Sequence, residues 1–187
     1  TFALATLTYT PVNRTKVYGS SGTAVAPGIF SGYVGSDTSA SGYDPTVACV
    51  ATGYTSTTAA GSVLNNTCGY TASGYYTFSG TLSGGTTTVT QAQLSTPGSV
   101  TLAPTAGQAT SLTASFAAVT NATDYLLTLY TAQTGGSVVT SVVRSTAGSY
   151  TFQSLTTGTT YWLGVVARGN TNYADSTESV LISAAPG

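Results

Sequence analysis

Leu155-Thr156-Thr157-Gly158-Thr159-Thr160-Tyr161-Trp162-Leu163-Gly164-Val165-Val166-Ala167 decides the fold. From Thr160 onward the run is aromatic, β-branched and uncharged, and a Thr-Gly turn leads into it, which predicts a buried strand entered from a turn. Working outward, Ser111-Leu112-Thr113-Ala114-Ser115-Phe116 alternates, with Leu112, Ala114 and Phe116 on one face. Asp124-Tyr125-Leu126-Leu127-Thr128-Leu129-Tyr130 follows, then Gly135-Gly136 as a turn, the β-branched run Val138 to Val143, and Tyr150-Thr151-Phe152. Val180-Leu181-Ile182 closes the series and Ser99-Val100-Thr101-Leu102 opens it. Seven short strands in about ninety residues predict a complete small sandwich.

The rest of the chain has the same character. Of 187 residues only four are Lys or Arg and five Asp or Glu, there is no His, and 41% are hydrophobic. Enough apolar surface exists for a core, and Thr, Val, Tyr and Gly dominate, so the fold class is all-β. A net charge of −1 gives no electrostatic source for binding nucleic acid or an anionic membrane. No apolar run is long enough for a membrane-spanning helix. There is no Met and no charged-then-apolar leader at Thr1, which reads as a mature or excised segment.

A seam falls at Leu94-Ser95-Thr96-Pro97-Gly98, between two alternating runs, so two β domains in series are predicted, residues 1–95 and 96–187. Cys49 and Cys68, both in the first, are separated by turn-rich sequence. A disulfide and an extracellular, oxidising setting are expected, with two free buried thiols as the alternative. Zinc would need ligands the chain lacks.

From Pro97 to the C terminus the chain resembles a fibronectin type III domain, on Tyr125, Leu155 and the run from Thr156 to Tyr161 leading into Val165-Val166-Ala167. The resemblance implies that Leu155 and Tyr161 form the corner where the chain changes sheets, the tyrosine hydroxyl bonding back to the backbone. Phe116 stands where the family usually has a core Trp, and Thr157 where it usually has Pro. In the first half, Ala5-Thr6-Leu7-Thr8-Tyr9-Thr10-Pro11 alternates. Lys16-Val17-Tyr18-Gly19, Ser31 to Thr38, Tyr75-Tyr76-Thr77-Phe78 and Thr88-Val89-Thr90-Gln91-Ala92 follow. These segments resemble the MBG domain, a bacterial surface repeat, although a cysteine pair is not general in that family.

Catalysis is poorly provided for. A Ser or Cys nucleophile needs a base, and without His only the sole lysine, Lys16, is available. Glycoside hydrolysis needs two carboxylates across a cleft. The supply is Asp37 and Asp44 in one loop, Asp175 and Glu178 in another, and Asp124, and turn chemistry accounts for such positions. The Asp175–Glu178 loop is also too sparse for calcium. No catalytic residue, metal ligand or cofactor is therefore assigned. A Lys16–Asn65 or Lys16–Asn66 amide crosslink assisted by Asp37 or Asp44 is a minor alternative. Arg168-Gly169-Asn170 lacks the Asp of an adhesion tripeptide and reads as a turn.

Thirteen tyrosines and Trp162 offer stacking surface, most of which strand packing would use. Asn13, Asn65 and Asn121 open N-glycosylation sequons. Phe2, Leu4 and Leu7 lie in an alternating run, either the first strand of its own domain or one that completes a neighbour's sheet. With net charge near zero and mean hydropathy of +0.20, the surface needs cover by neighbouring copies or glycans. The expected function is a non-enzymatic extracellular structural module, the subunit of a cell-surface filament or the stalk of a bacterial adhesin. Its partners would be copies of itself, neighbouring surface domains or glycans. The alternative is a carbohydrate- or ligand-binding accessory module of a secreted protein.

Overall fold

The computed structural model describes residues 4–41, 44–72, 74–79, 82 and 84–187, so Phe2 and Tyr43 lie outside the described residues. The chain is all-β and divides into two compact units, Thr1–Gln91 and Ala92–Gly187.

The first unit contains β1 (Ala5–Thr10), β2 (Arg14–Val17), β3 (Ala24–Val25), β4 (Ile29–Ser31), β5 (Thr46–Ala51), β6 (Val63–Thr71), β7 (Tyr76–Ser79) and β8 (Thr86–Thr90). They form two sheets, ordered β4-β1-β7 and β2-β8-β6-β5-β3. β1 pairs parallel with β7 and β2 parallel with β8, while the other pairings are antiparallel. The alternation read at the start of the chain has its expected effect in β1, where Leu7 is fully buried and Tyr9 nearly so. Ala51, Tyr54 and Val89 form a second cluster with Tyr18, Val25 and Leu64 against it. Gly28 is required where β4 approaches β1: a Cβ there would strike the Thr10 carbonyl.

Cys49 and Cys68 form a disulfide, and they sit directly opposite each other on the antiparallel strands β5 and β6. The turns lie between those strands, and the cysteines themselves belong to the ladder. The Tyr9 hydroxyl reaches both sulfurs, at 3.7 and 3.9 Å, and accepts the Gly28 N–H at 2.5 Å.

The second unit contains β9 (Ala92–Gln93), β10 (Thr101–Thr105), β11 (Gln108–Phe116), β12 (Asp124–Tyr130), β13 (Val138–Arg144), β14 (Gly148–Phe152), β15 (Tyr161–Arg168), β16 (Tyr173–Ala174) and β17 (Ile182–Ala184). A three-stranded sheet, β10-β11-β14, faces a four-stranded sheet, β13-β12-β15-β17, across a core of Leu112, Ala114, Phe116, Tyr125, Leu127, Leu129, Leu163 and Val165. This is the three-plus-four arrangement of a fibronectin type III sandwich. β9 pairs parallel with β16. The seam at 95/96 therefore falls beyond the structural division at Gln91/Ala92: Ala92 and Gln93 hydrogen-bond within the second unit.

The final strand differs from the sequence expectation. The sequence pattern predicts it over residues 180–182, whereas β17 begins only at Ile182. Ahead of it, Ser176 and Ser179 each bond the edge of β15 twice, through backbone N–H groups to the carbonyls of Ala167 and Val165, and through hydroxyls that accept the N–H groups of the same two residues. Side-chain oxygens thus replace part of a ladder. This leaves Val180 83% exposed.

Candidate functional site

The fold engages all nine charged side chains. In the first unit Asp37 Oδ2 accepts the Tyr76 hydroxyl at 2.6 Å and Asp44 Oδ2 accepts that of Tyr33 at 2.9 Å. The Tyr33 and Tyr76 rings meet edge to face at 6.0 Å, so two acids and two phenols form one cluster. Desolvation, then the bond to Asp44, pushes Tyr33 up to about 12. Tyr76 is raised as well, chiefly by its bond to Asp37. Lys16 lies over the Tyr54 ring, 4.9 Å from its centroid, and Arg14 donates to the carbonyls of Ala26 and Pro27.

In the second unit Arg168 grips Asp124 through two hydrogen bonds, 2.5 and 3.0 Å, which hold the Asp124 carboxyl below the ordinary carboxylate range. Asp175 accepts the Gly169 N–H, Glu178 accepts the Tyr130 hydroxyl at 2.7 Å, and Arg144 stacks over Tyr150. The Arg168-Gly169-Asn170 stretch is thus tied down at both ends: Arg168 by Asp124, and Asn170 by a side-chain oxygen that accepts the Asn172 N–H.

Among the described residues no group of three or more His, Cys, Asp or Glu side chains could hold a metal ion. Of the groups in the Lys16 crosslink alternative, most have other partners. Asn66 is buried with its Oδ1 accepting the Thr87 hydroxyl at 2.6 Å, and Asp37 and Asp44 hold tyrosines. Asn65 lies exposed in β6.

Two surface features remain. One is a cavity of about 420 Å³ in the first unit, walled by Pro27, Ile29, Phe30, Pro45 and Val47, with Asp44 on its lining. Asp44 Oδ1 is buried without a hydrogen-bond partner among the described residues. The other is the outer face of the β13-β12-β15-β17 sheet, where Trp162 stands directly opposite Tyr130 and Leu126 opposite Val166. Gly164 lies two residues along from Trp162 on the same face, and the Glu178 side chain occupies the space a Cβ there would fill. An indole, a phenol and a carboxylate thus share one open sheet face.

No family model matches the sequence, and no curated protein does. Solved structures do. The chain is similar to the FN5 domain of Drosophila Lar, at 19% identity over 50% of this chain and 98% of that one, with a TM-score of 0.39. It is similar to a Fn3-like protein from Clostridium thermocellum, at 21% identity over 46% of this chain and 85% of that one, TM-score 0.36. Chicken CNTN1 FN1–FN3 domains match at 17% identity over 71% of this chain and 43% of that one, TM-score 0.43.

Leu155 is buried, and the Tyr161 hydroxyl accepts the Thr156 N–H at 3.1 Å. A second phenol does similar work: Tyr125 OH accepts the Val119 N–H at 2.8 Å while its ring packs on Phe116 at 4.9 Å. Of the N-terminal trio, Leu7 is buried in its own sheet and Leu4 is 49% exposed. Of the sequon residues, Asn13 accepts the backbone N–H of Thr86 through Oδ1. Asn121 sits exposed in a turn with φ of 68°. The aromatic-carboxylate face was not visible in the sequence, because Glu178 reaches Tyr130 only through the path of the irregular last strand.

Proposed function

We propose that this chain is a non-enzymatic structural module of an extracellular assembly, the subunit of a surface filament or a stalk segment of a bacterial adhesin. One observation carries the reading: every charged side chain is held by a tyrosine, a backbone group or an opposite charge of its own unit. Charges used this way fasten loops and strands, and they leave the exterior to hydroxyls and exposed valines. Such a surface suits contact with similar uncharged surfaces or with glycan. The disulfide supports an oxidising compartment, and the first unit's resemblance to MBG repeats supports a bacterial surface. Native material examined by electron microscopy and sedimentation tests this. Ordered fibres or extended stalks are expected, and a dispersed, compact monomer in every native preparation overturns it.

A second reading, a carbohydrate-binding accessory module, is favoured by the Trp162–Tyr130–Glu178 face, since sugars offer apolar ring faces to indoles and hydroxyls to carboxylates. Affinity electrophoresis in neutral polysaccharide gels tests it. Retardation that Trp162→Ala abolishes supports it, and unretarded migration of the parent protein in all gels removes it.

A further inference from the structure

Glu178 is an acid that the fold lays onto a sheet. It belongs to the irregular stretch ahead of β17, yet its carboxylate lies over the middle of β15, in the space Gly164 leaves by having no Cβ. On the same face of β15 the gap is flanked by Trp162 and Val166, each about 7 Å along the strand. Across the ladder Thr128 stands opposite the gap and Tyr130 opposite Trp162. The Tyr130 hydroxyl donates to Glu178 Oε1 at 2.7 Å, and its proton is held more tightly than an ordinary phenol's, by burial first and then by that bond. The Ser141 hydroxyl, from β13, donates to Thr128 at 3.2 Å, so the hydroxyls beside the gap are occupied with each other. Among the described residues Tyr130 alone hydrogen-bonds the exposed Glu178, which leaves Oε2 open to a further donor.

The charges around this carboxylate say what it would accept. The next residue of the face beyond Val166 is Arg168, which Asp124, directly opposite, already neutralises. β13 adds Ser141 and Val143 to the face, and neither is charged. Glu178 is therefore an acid without a cation, placed beside an indole.

We infer that this face selects sugars that carry a protonated amine: Trp162 takes the apolar face of the ring, and Glu178 Oε2 takes the ammonium group. Charge complementarity names the occupant. An ammonium fixed to a ring of C–H groups satisfies carboxylate and indole together. A neutral sugar offers the same ring with a hydroxyl in place of the charge, and an acidic one is repelled. The inference rests on the carbohydrate-binding reading above and specifies which sugars that face prefers.

The test titrates the full chain, disulfide intact, with β-linked trimers of glucosamine, N-acetylglucosamine and glucose, at about pH 6, where amine and carboxylate are both ionised. Trp162 is the sole tryptophan, so its fluorescence reports the site, with calorimetry alongside. The glucosamine trimer is expected to bind about fivefold more tightly than the other two, the upper end for an exposed charge pair. Glu178→Gln keeps an acceptor for Tyr130 and removes the charge, and it should abolish that preference while leaving neutral binding in place. Gly164→Ala keeps the charge and displaces the carboxylate from its seat, with the same expected result; retention of the parent's thermal transition shows that each variant folds. Equal binding of the three trimers, or a preference that survives Glu178→Gln, overturns the inference and leaves the carbohydrate reading standing. Neither heat nor a fluorescence change with any trimer removes both.

Discussion

At the scale of single residues, tyrosine hydroxyls do the fastening that ion pairs and longer strands do elsewhere. Tyr161 bonds the backbone of Thr156, Tyr125 that of Val119, Tyr76 holds Asp37, Tyr33 holds Asp44 and Tyr130 holds Glu178. Tyr161→Phe keeps the buried ring and removes one such bond, so a loss of about 1 kcal/mol is expected. For a domain of this size that lowers the midpoint of thermal unfolding of the second unit by about 5 °C, read by circular dichroism. Tyr33 gives a pH prediction. Its folded value of about 12 lies above the ordinary 10.0, so the folded state keeps the proton longer than the unfolded chain does. That contribution is fully present below pH 10 and is lost as pH rises from about 10 toward 12. Urea unfolding of the parent protein should therefore show a decline across that window that Tyr33→Phe reduces. An equal decline in both proteins would assign the effect to other groups.

At the scale of elements, the disulfide closes a hairpin whose two strands already pair, and it acts in the first unit alone. Joining residues 19 apart restricts the unfolded chain by about 3 kcal/mol. Reduction is expected to lower the calorimetric transition of the first unit and to leave that of the second in place; a shift of both transitions would contradict their independence. Leu7→Ala, at a site of zero exposure, should cost the same unit about 2–5 kcal/mol. Strands of the second unit were legible because alternation, turns and β-branching agreed: Asp124–Tyr130 was read to the residue and β15 within one. The β5–β6 hairpin was obscured because Gly, Thr and Asn soften its outer positions, and turn-forming residues crowd the sequence between the cysteines. The last strand was misplaced because serine hydroxyls there imitate a ladder, which no hydrophobic pattern records. Of the candidate site, the shortage of charge was plain in the composition, but the partners of the acids were not. Phenol and carboxylate meet over separations of 11 to 48 residues, and only the sheets bring them together.

At the scale of the whole chain, the structural role proposed above implies load carried from one end to the other through two compact units. In the first unit β2, from near the start, lies parallel to β8, the last strand before the second unit. Tension applied along the chain would slide such strands past each other and load their hydrogen bonds together, where an antiparallel hairpin pulled from its open end gives way one bond at a time. Cys49 and Cys68 then act as a stop: once the unit yields, the residues they enclose stay out of the stretched length, roughly 65 Å at about 3.4 Å per residue. Single-molecule pulling should show the first unit lengthening by that much less under oxidising conditions than after reduction, and equal lengthening in both would refute the stop. An extracellular tether built this way would give under strain by a fixed amount, and then hold.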